Sequence, residues 1–293
     1  LPDILELNVY DRYFFGAPSC VKDKTPKLCK LVYRQSDFDG ISLFVDVCMY
    51  EEAREAKSKY KVGWLLEARG LHPGDYERAV EALQWLDFIV TFDEELLKLP
   101  GFVKYTKGGI WIPRENWGFY PKTHFCSMLY GAKTTPMPGY PLRHKVAELA
   151  VKHGAHLYYE IGRTSDAKLR AMRDYAFTIA IDACAQPNCF SENLLDPIMV
   201  GCVPIHWGAP NIGEYLYECG FIHLNGVEDI ETILSNLKPN WMEIYNSMLP
   251  YLRANQNLAS QLEVTEDWMT EHVFLPFLSG NLDPHLSCRK TSL

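Results

Sequence analysis

The sequence predicts an α/β protein of two consecutive parallel-sheet units followed by a helical tail, and three observations carry that prediction. Apolar runs rich in β-branched residues alternate with longer helical patterns twice along the chain, over residues 41–92 and 125–237. Between them, residues 107–141 change texture to glycine, proline and aromatics, as in KGGIWIPRENWGFYPKTHF and TTPMPGYP, which suits a connection better than a core element. From NWMEIYNSMLPYLRANQNLASQL onward the pattern is helical without strands. The expected domains are therefore residues 1–120, residues 121–255, and a tail of residues 256–293 packing back across the body. At 293 residues the chain has room for two cores of ordinary size.

The first unit opens on ISLFVDVCM (41–49), a buried strand, followed by EEAREAKSKY (51–60), a polar helix. KVGWLLE (61–67) reads as a strand, DYERAVEALQWL (75–86) as an amphipathic helix and DFIVTF (87–92) as a third strand. This alternation implies parallel strands joined by right-handed crossovers. In the second unit, FCSMLYG is a strand, and LRHKVAELAVKHG is a helix closed by Gly154. AHLYYEIG is a strand, SDAKLRAMRDY a helix with Ser165 as its expected cap, and AFTIAID a strand. SENLLDPIMVG then forms a helix, CVPIHWG and FIHL form strands, and VEDIETILSNL a last amphipathic helix. In open parallel sheets the ligand crevice lies beyond the carboxyl ends of the strands. Two such sheets facing each other would enclose a cleft, so residues just after strands are the candidates.

Composition excludes several classes. Hydrophobic residues make up 47% and charged residues 23%, as in ordinary globular proteins. The net charge of -8 and the short basic clusters, such as KSKYK at 57–61, argue against a general nucleic-acid or anionic-membrane binder. No apolar stretch is long enough for a membrane-spanning helix, and nothing at Leu1 onward resembles a signal peptide. Nine cysteines without a C-x-x-C pair point to reduced thiols, and the absence of an N-x-[ST] site argues against a secretory lumen. Cys184 and Cys189, five apart without local histidines, make a poor zinc site.

The stretch SENLLDPIMVGCVPIHWGAP (191–210) carries the most chemistry. Ser191 can cap the helix, whose first N–H groups favour negative charge. Glu192 by local pattern alone decorates the helix dipole, yet an acid just after a strand can also accept hydrogen bonds from ribose hydroxyls. Gly208 with Pro210 fixes a turn that brings backbone close to whatever it faces.

Here a resemblance becomes specific. DYAFTIAID, CFSENLLDPIMVGCVPIHWGAPNIGEYL and FIHLNGVEDIETILSNL resemble the donor half of the α1,3-fucosyltransferase family. That family runs a Tyr-Lys-Phe strand into Phe-Glu-Asn, opens a helix with Thr-Glu-Lys, and follows it with a Pro-x-x-Trp-Gly-x-Pro turn. The order and spacing agree over roughly sixty positions, beyond the chance level of a short motif. More weakly, VGWLLEARG, LDFIVTFDEELL and THFCSMLYGAKTTPMPGYPLRHKVAEL are similar to the family's upstream strands and Arg-bearing helix. The resemblance covers residues from about 60 to 235 and implies the GT-B fold, two facing Rossmann-like domains with a cleft between them.

The resemblance also implies an inverting, metal-independent glycosyltransferase that moves a sugar from a nucleoside-diphosphate sugar to a glycan hydroxyl. GDP-fucose is the first expected donor, with UDP-xylose or another UDP-sugar second. Glu67 matches the general base, and a carboxylate opposite the leaving nucleotide is what an inverting displacement requires. Read without the family, Glu67 is a strand-end acid paired with Arg69. Arg143 matches the pyrophosphate cation, otherwise an exposed helix arginine. Glu192 matches the ribose acid, and Asp182 stands at the Glu of Phe-Glu-Asn. Asn193 replaces the family's lysine, Cys189 its tyrosine and Ala183 its asparagine. Lys133, Lys145, His144 and Arg163 are the candidates to replace the lost charge. No metal or other cofactor is expected, and the partners are a nucleotide-sugar donor and an oligosaccharide or glycan acceptor, without nucleic acid. The expected compartment is the cytoplasm, the alternative a Golgi-lumenal catalytic domain without its anchor.

Two rival readings stand beside this one. A metal-dependent transferase would use Asp37 and Asp39 of SDFDG, a segment that reads as a turn before the first strand. An inactive carbohydrate-binding module would use Trp64, Trp111, Trp117 or Trp207 as stacking platforms. His206 and His223 receive no role on position alone.

Overall fold

The computed structural model describes residues 4–131, 134, 135, 137–159 and 164–286. The chain divides into two compact units, one running up to Lys107 and resuming at Val264, the other spanning Gly108–Glu263. Sequence reading draws these divisions after residues 120 and 255.

Unit 1 is a six-stranded sheet of β1 (Leu5–Tyr10), β2 (Cys29–Tyr33), β3 (Asp37–Val45), β4 (Lys57–Trp64), β5 (Phe88–Thr91) and β6 (Phe102–Lys104). The order is β2-β1-β3-β4-β5-β6, with every neighbouring pair parallel. Strands covered on both faces read as continuous apolar runs, and Ile41, Leu43, Phe44, Val45, Phe88, Ile89 and Val90 are fully buried. Short helices α1 (Glu51–Glu55), α2 (Pro73–Glu77) and α3 (Ala79–Ala82) contribute Ala53, Tyr76, Ala79 and Ala82 to one apolar cluster with Phe44, Met49 and Ile89.

Several expected elements change here. The run 41–49 is a strand only to Val45, because Asp46 takes φ +46° and turns the chain into a short 3-10 helix, Asp46–Met49. The polar helix at 51–60 stops at Glu55, and Lys57–Tyr60 instead pair with β3, Lys57 beside Asp37 and Tyr60 beside Ile41. Sheet pairing outweighs the helix propensity of that segment. The strand at 61–67 ends at Trp64, and the helix at 75–86 is two short pieces. β1, β2 and β6 lie where no element is expected. Asp37 and Asp39 are not in a turn but in β3, which carries an irregularity between Phe38 and Ile41.

Unit 2 holds β7 (His124–Tyr130), β8 (His156–Tyr159), β9 (Tyr175–Ile181), β10 (Val203–Trp207) and β11 (Ile222–His223), ordered β11-β10-β9-β7-β8 and all parallel. Its helices are α4 (Gly139–Lys152), α5 (Ser165–Met172), α6 (Glu192–Met199), α7 (Asp229–Leu237) and α8 (Trp241–Ser260). These match the sequence expectations to within a few residues at each end. The cap of α5 is a correction. Thr164, not Ser165, is the N-cap, and its hydroxyl accepts the Ala167 N–H at 3.2 Å.

The segment from Val264 belongs to unit 1 and carries α9 (Thr265–Met269) and α10 (Leu275–Leu278). Buried Glu266 accepts the Ser19 hydroxyl at 2.8 Å and the Cys20 N–H at 2.6 Å, and Asp267 accepts the N–H groups of Lys27 and Leu28. None of the eight cysteines among the described residues is in a disulfide. No helix among them is long and apolar enough to cross a membrane.

Candidate functional site

Both sheets contain a point where the strand order reverses, and ligands of such sheets bind beyond the carboxyl ends of the strands there. In unit 2 the chain goes from β7 outward to β8, then returns to the other side as β9. Asp182 is the first residue after β9 and is buried. Its carboxylate gathers three donors: the Ser191 hydroxyl at 2.5 Å, the Asn193 side-chain amide at 3.2 Å and His206 Nε2 at 2.9 Å. Burial alone would raise its pKa, but the hydrogen bond and charge of His206, with Ser191 and Asn193, hold it below the ordinary carboxylate range. Asp182 thus joins the end of β9 to the start of α6 and to β10.

Ser191 caps α6 as expected, its hydroxyl accepting the Asn193 N–H at 3.2 Å while donating to Asp182. Gly208 follows β10, and a Cβ there would stand 2.5 Å from His206 Nε2 and 2.7 Å from Asp182 Oδ2. The close approach that the WGAP turn requires is therefore first an approach to the Asp182–His206 pair. Gly139 opens α4 for a similar reason, since a Cβ there would come within 1.9 Å of the Asp182 carbonyl.

Arg143 on α4 is buried rather than surface-exposed. Its guanidinium Nε donates to the Ile181 carbonyl at 2.9 Å, an Nη donates to the same oxygen, and its charge lies 5.1 Å from the Tyr140 ring centroid. This places a cation beside the last residue of β9. His144 bonds through Nδ1 to the Tyr130 hydroxyl, and Lys145 is exposed on the same helix. Lys133 and Arg163 lie outside the described residues.

Glu192 occupies the first turn of α6, with Oε1 3.5 Å from the ammonium of Lys168. Lys168, on α5, is wholly buried and lies 2.6 Å from Asp196 Oδ2. Sequence reading misses both Lys168 and Asp196, although a signal exists. Lys168 shares the inward stripe of α5 with Ala171 and Met172, and Asp196 interrupts the apolar LLDPIM of α6. Opposite charges on the apolar faces of successive helices point to a buried pair.

In unit 1 the order reverses between β1 and β3. Glu67 lies just beyond β4, the next strand over, and is half-buried. Its backbone is held by neighbours. Asp46 accepts the N–H groups of Leu66 at 2.8 Å and Glu67 at 3.3 Å, and the Tyr76 hydroxyl donates to the Glu67 carbonyl at 2.5 Å. Lys107 Nζ is 4.0 Å from Glu67 Oε2 and donates to the Leu66 carbonyl at 2.8 Å. The pairing of Glu67 with Arg69 is not observed, because Arg69 makes a bidentate contact with Asp93 at 2.9 and 2.7 Å. Asp46, which sequence reading places inside a strand, is fully buried, and its burial together with Glu67 pushes its pKa up to about 7 despite the Leu66 hydrogen bond.

Asp37 and Asp39 lie in the first half of β3, exposed, with Lys59 3.7 Å from Asp39. That is the amino end of the strand whose carboxyl end leads to Asp46 and faces the Glu67 turn. Trp64 is fully buried against Tyr105 and Phe14 and offers no platform, whereas Trp111, Trp117 and Trp207 are partly exposed.

No protein-family model matches the chain. It is similar to a fucosyltransferase-like protein of Arabidopsis thaliana, 28% identical over 72 residues, which span 24% of this chain and 14% of that relative. An α1,3-fucosyltransferase solved with GDP-fucose aligns with a TM-score of 0.56 at 12% identity, over 96% of this chain and 91% of the other. The Anabaena protein HepE, solved with UDP-glucose, aligns with a TM-score of 0.60 at 8% identity, over 94% of this chain and 100% of its own. These likenesses show the fold: the chain has the α/β GT-B architecture that those proteins share.

Proposed function

We propose that this chain is an inverting glycosyltransferase that moves a sugar from a nucleoside-diphosphate sugar to a glycan hydroxyl. The observation that carries this reading is the convergence at the carboxyl end of β9. There Asp182, Arg143 and the capped start of α6 with Glu192 meet at the reversal point of a parallel sheet. A nucleotide fits that chemistry. Glu192 accepts from the ribose hydroxyls, and the N–H groups at the start of α6 together with the Arg143 cation favour a diphosphate.

Transfer then proceeds by displacement. The acceptor hydroxyl attacks the anomeric carbon opposite the diphosphate, Glu67 takes its proton, and the bond to the diphosphate oxygen breaks with its electron pair leaving on the nucleotide. Arg143 stabilises the charge that appears on the leaving group, so the proposed reaction needs no metal. Asp37 and Asp39, exposed at the amino end of β3, do not suit a metal-bound diphosphate at a strand's carboxyl end. GDP-fucose is the first donor, and the replacement of a lysine by Asn193, which here bonds Asp182, makes UDP-xylose or another UDP-sugar the second.

The test is a donor panel in EDTA, read by nucleotide release and by thermal stabilisation, with GDP-fucose, GDP-mannose, UDP-xylose, UDP-glucose and UDP-galactose. A response to one nucleotide class is expected. Silence across the panel would overturn the reading, and activity that appears only when a divalent metal is restored would remove its metal-independent part.

A further inference from the structure

Lys168 has no exposed surface, and an ammonium taken out of water requires a counter-charge at contact. Asp196 supplies it at 2.6 Å, and is itself fully buried and fixed by the N–H groups of Trp111 at 2.8 Å and Ile112 at 3.2 Å. The Trp111 ring lies under the same ammonium, its centroid 4.4 Å away. Lys168 is thus neutralised without Glu192. Yet Glu192 Oε1 also stands 3.5 Å from Lys168 Nζ, and its side chain keeps 14% exposure. The group therefore carries two carboxylates on one ammonium. Glu192 is the accessible member of this group, in the first turn of α6, where the helix dipole favours negative charge.

A glutamate has three rotatable side-chain bonds, and recognition of a ribose needs its carboxylate in one orientation. Holding one oxygen on a buried, immobile cation sets the direction of the other. We infer that Lys168 is a positioning residue that aims Glu192 at the ribose hydroxyls, and so sets the preference for ribonucleotides. The inference rests on the ribose role proposed for Glu192. A purely structural lysine would tie α5 to α6 and Trp111 without affecting that preference.

The experiment measures calorimetric affinities for GDP and 2′,3′-dideoxy-GDP, or for the uridine pair if the donor panel selects UDP. The proteins are wild type, Glu192→Gln, Lys168→Met, Lys168→Arg and the double variant K168M/D196N, which removes both buried charges together. Hydrogen bonds from hydroxyls to a carboxylate predict a wild-type preference for the ribose form of about tenfold or more. Glu192→Gln should reduce it to near unity. In the double variant the preference should fall at least about fivefold, while affinity for the dideoxy form stays within about twofold. A folded double variant with the wild-type preference would overturn the role of Lys168. If wild type shows no preference, or if Glu192→Gln keeps it, the reading of Glu192 itself fails. Should both methionine variants fail to fold, Lys168→Arg decides. Its guanidinium moves the contact with Glu192, so a lowered preference supports the inference and an unchanged one overturns it.

Discussion

Asp46 shows how a single residue places the proposed base. It ends β3 with a left-handed φ of +46° and turns its carboxylate onto the N–H groups of Leu66 and Glu67. The cost is a carboxyl buried beside another acid, with a pKa raised from 3.8 to about 7. A group that binds its proton more tightly when folded destabilises the fold only once the unfolded chain has lost that proton. Stability is therefore undiminished below about pH 4, falls as pH rises, and levels off above about pH 7. Asp46→Asn removes this dependence while keeping one carbonyl acceptor for the turn. The urea midpoint of wild type should drop more between those limits than that of the variant, and parallel profiles would contradict the assignment. The same residue explains a failure of sequence reading. ISLFVDVCM is apolar on both sides of Asp46, so nothing in its periodicity marks the turn, whereas Glu67 is singled out only by the family resemblance, its position alone giving a strand-end acid.

At the scale of elements, legibility follows the strength of the local signal. α6 and β10 are readable because a capping serine, an apolar run and a glycine with φ +64° at Gly201 all agree. Lys57–Tyr60 are not, because charged residues of good helix propensity are recruited into β4 by pairing with β3, a non-local contact. β6 is three residues long and falls below any periodic signal. α5 offers a direct test of its corrected start. Thr164→Ala removes the hydroxyl that accepts the Ala167 N–H and should cost about 1 kcal/mol of stability, whereas Ser165→Ala should change it by less than about 0.5 kcal/mol. Chemical denaturation of the two variants reads the difference, and equal losses would return the cap to Ser165.

Over the whole molecule, the two α/β units are legible because strand and helix periods alternate twice, and a tail packing back is expected, but that it starts at Val264 and joins unit 1 is not legible. That return depends on Glu266 and Asp267 meeting the backbone of residues 20, 27 and 28, contacts about 240 residues apart in sequence that no local pattern encodes. In the proposed reaction Glu67 is the base, and Asp182, Arg143 and Glu192 bind the nucleotide. The most direct measurement is therefore a paired one on Glu67→Gln, with turnover and nucleotide affinity taken from the same preparation. The account predicts that kcat falls about 10²–10⁴-fold while the nucleotide Kd stays at the wild-type value. Undiminished turnover, or a loss of nucleotide affinity as large as the loss of rate, would contradict it.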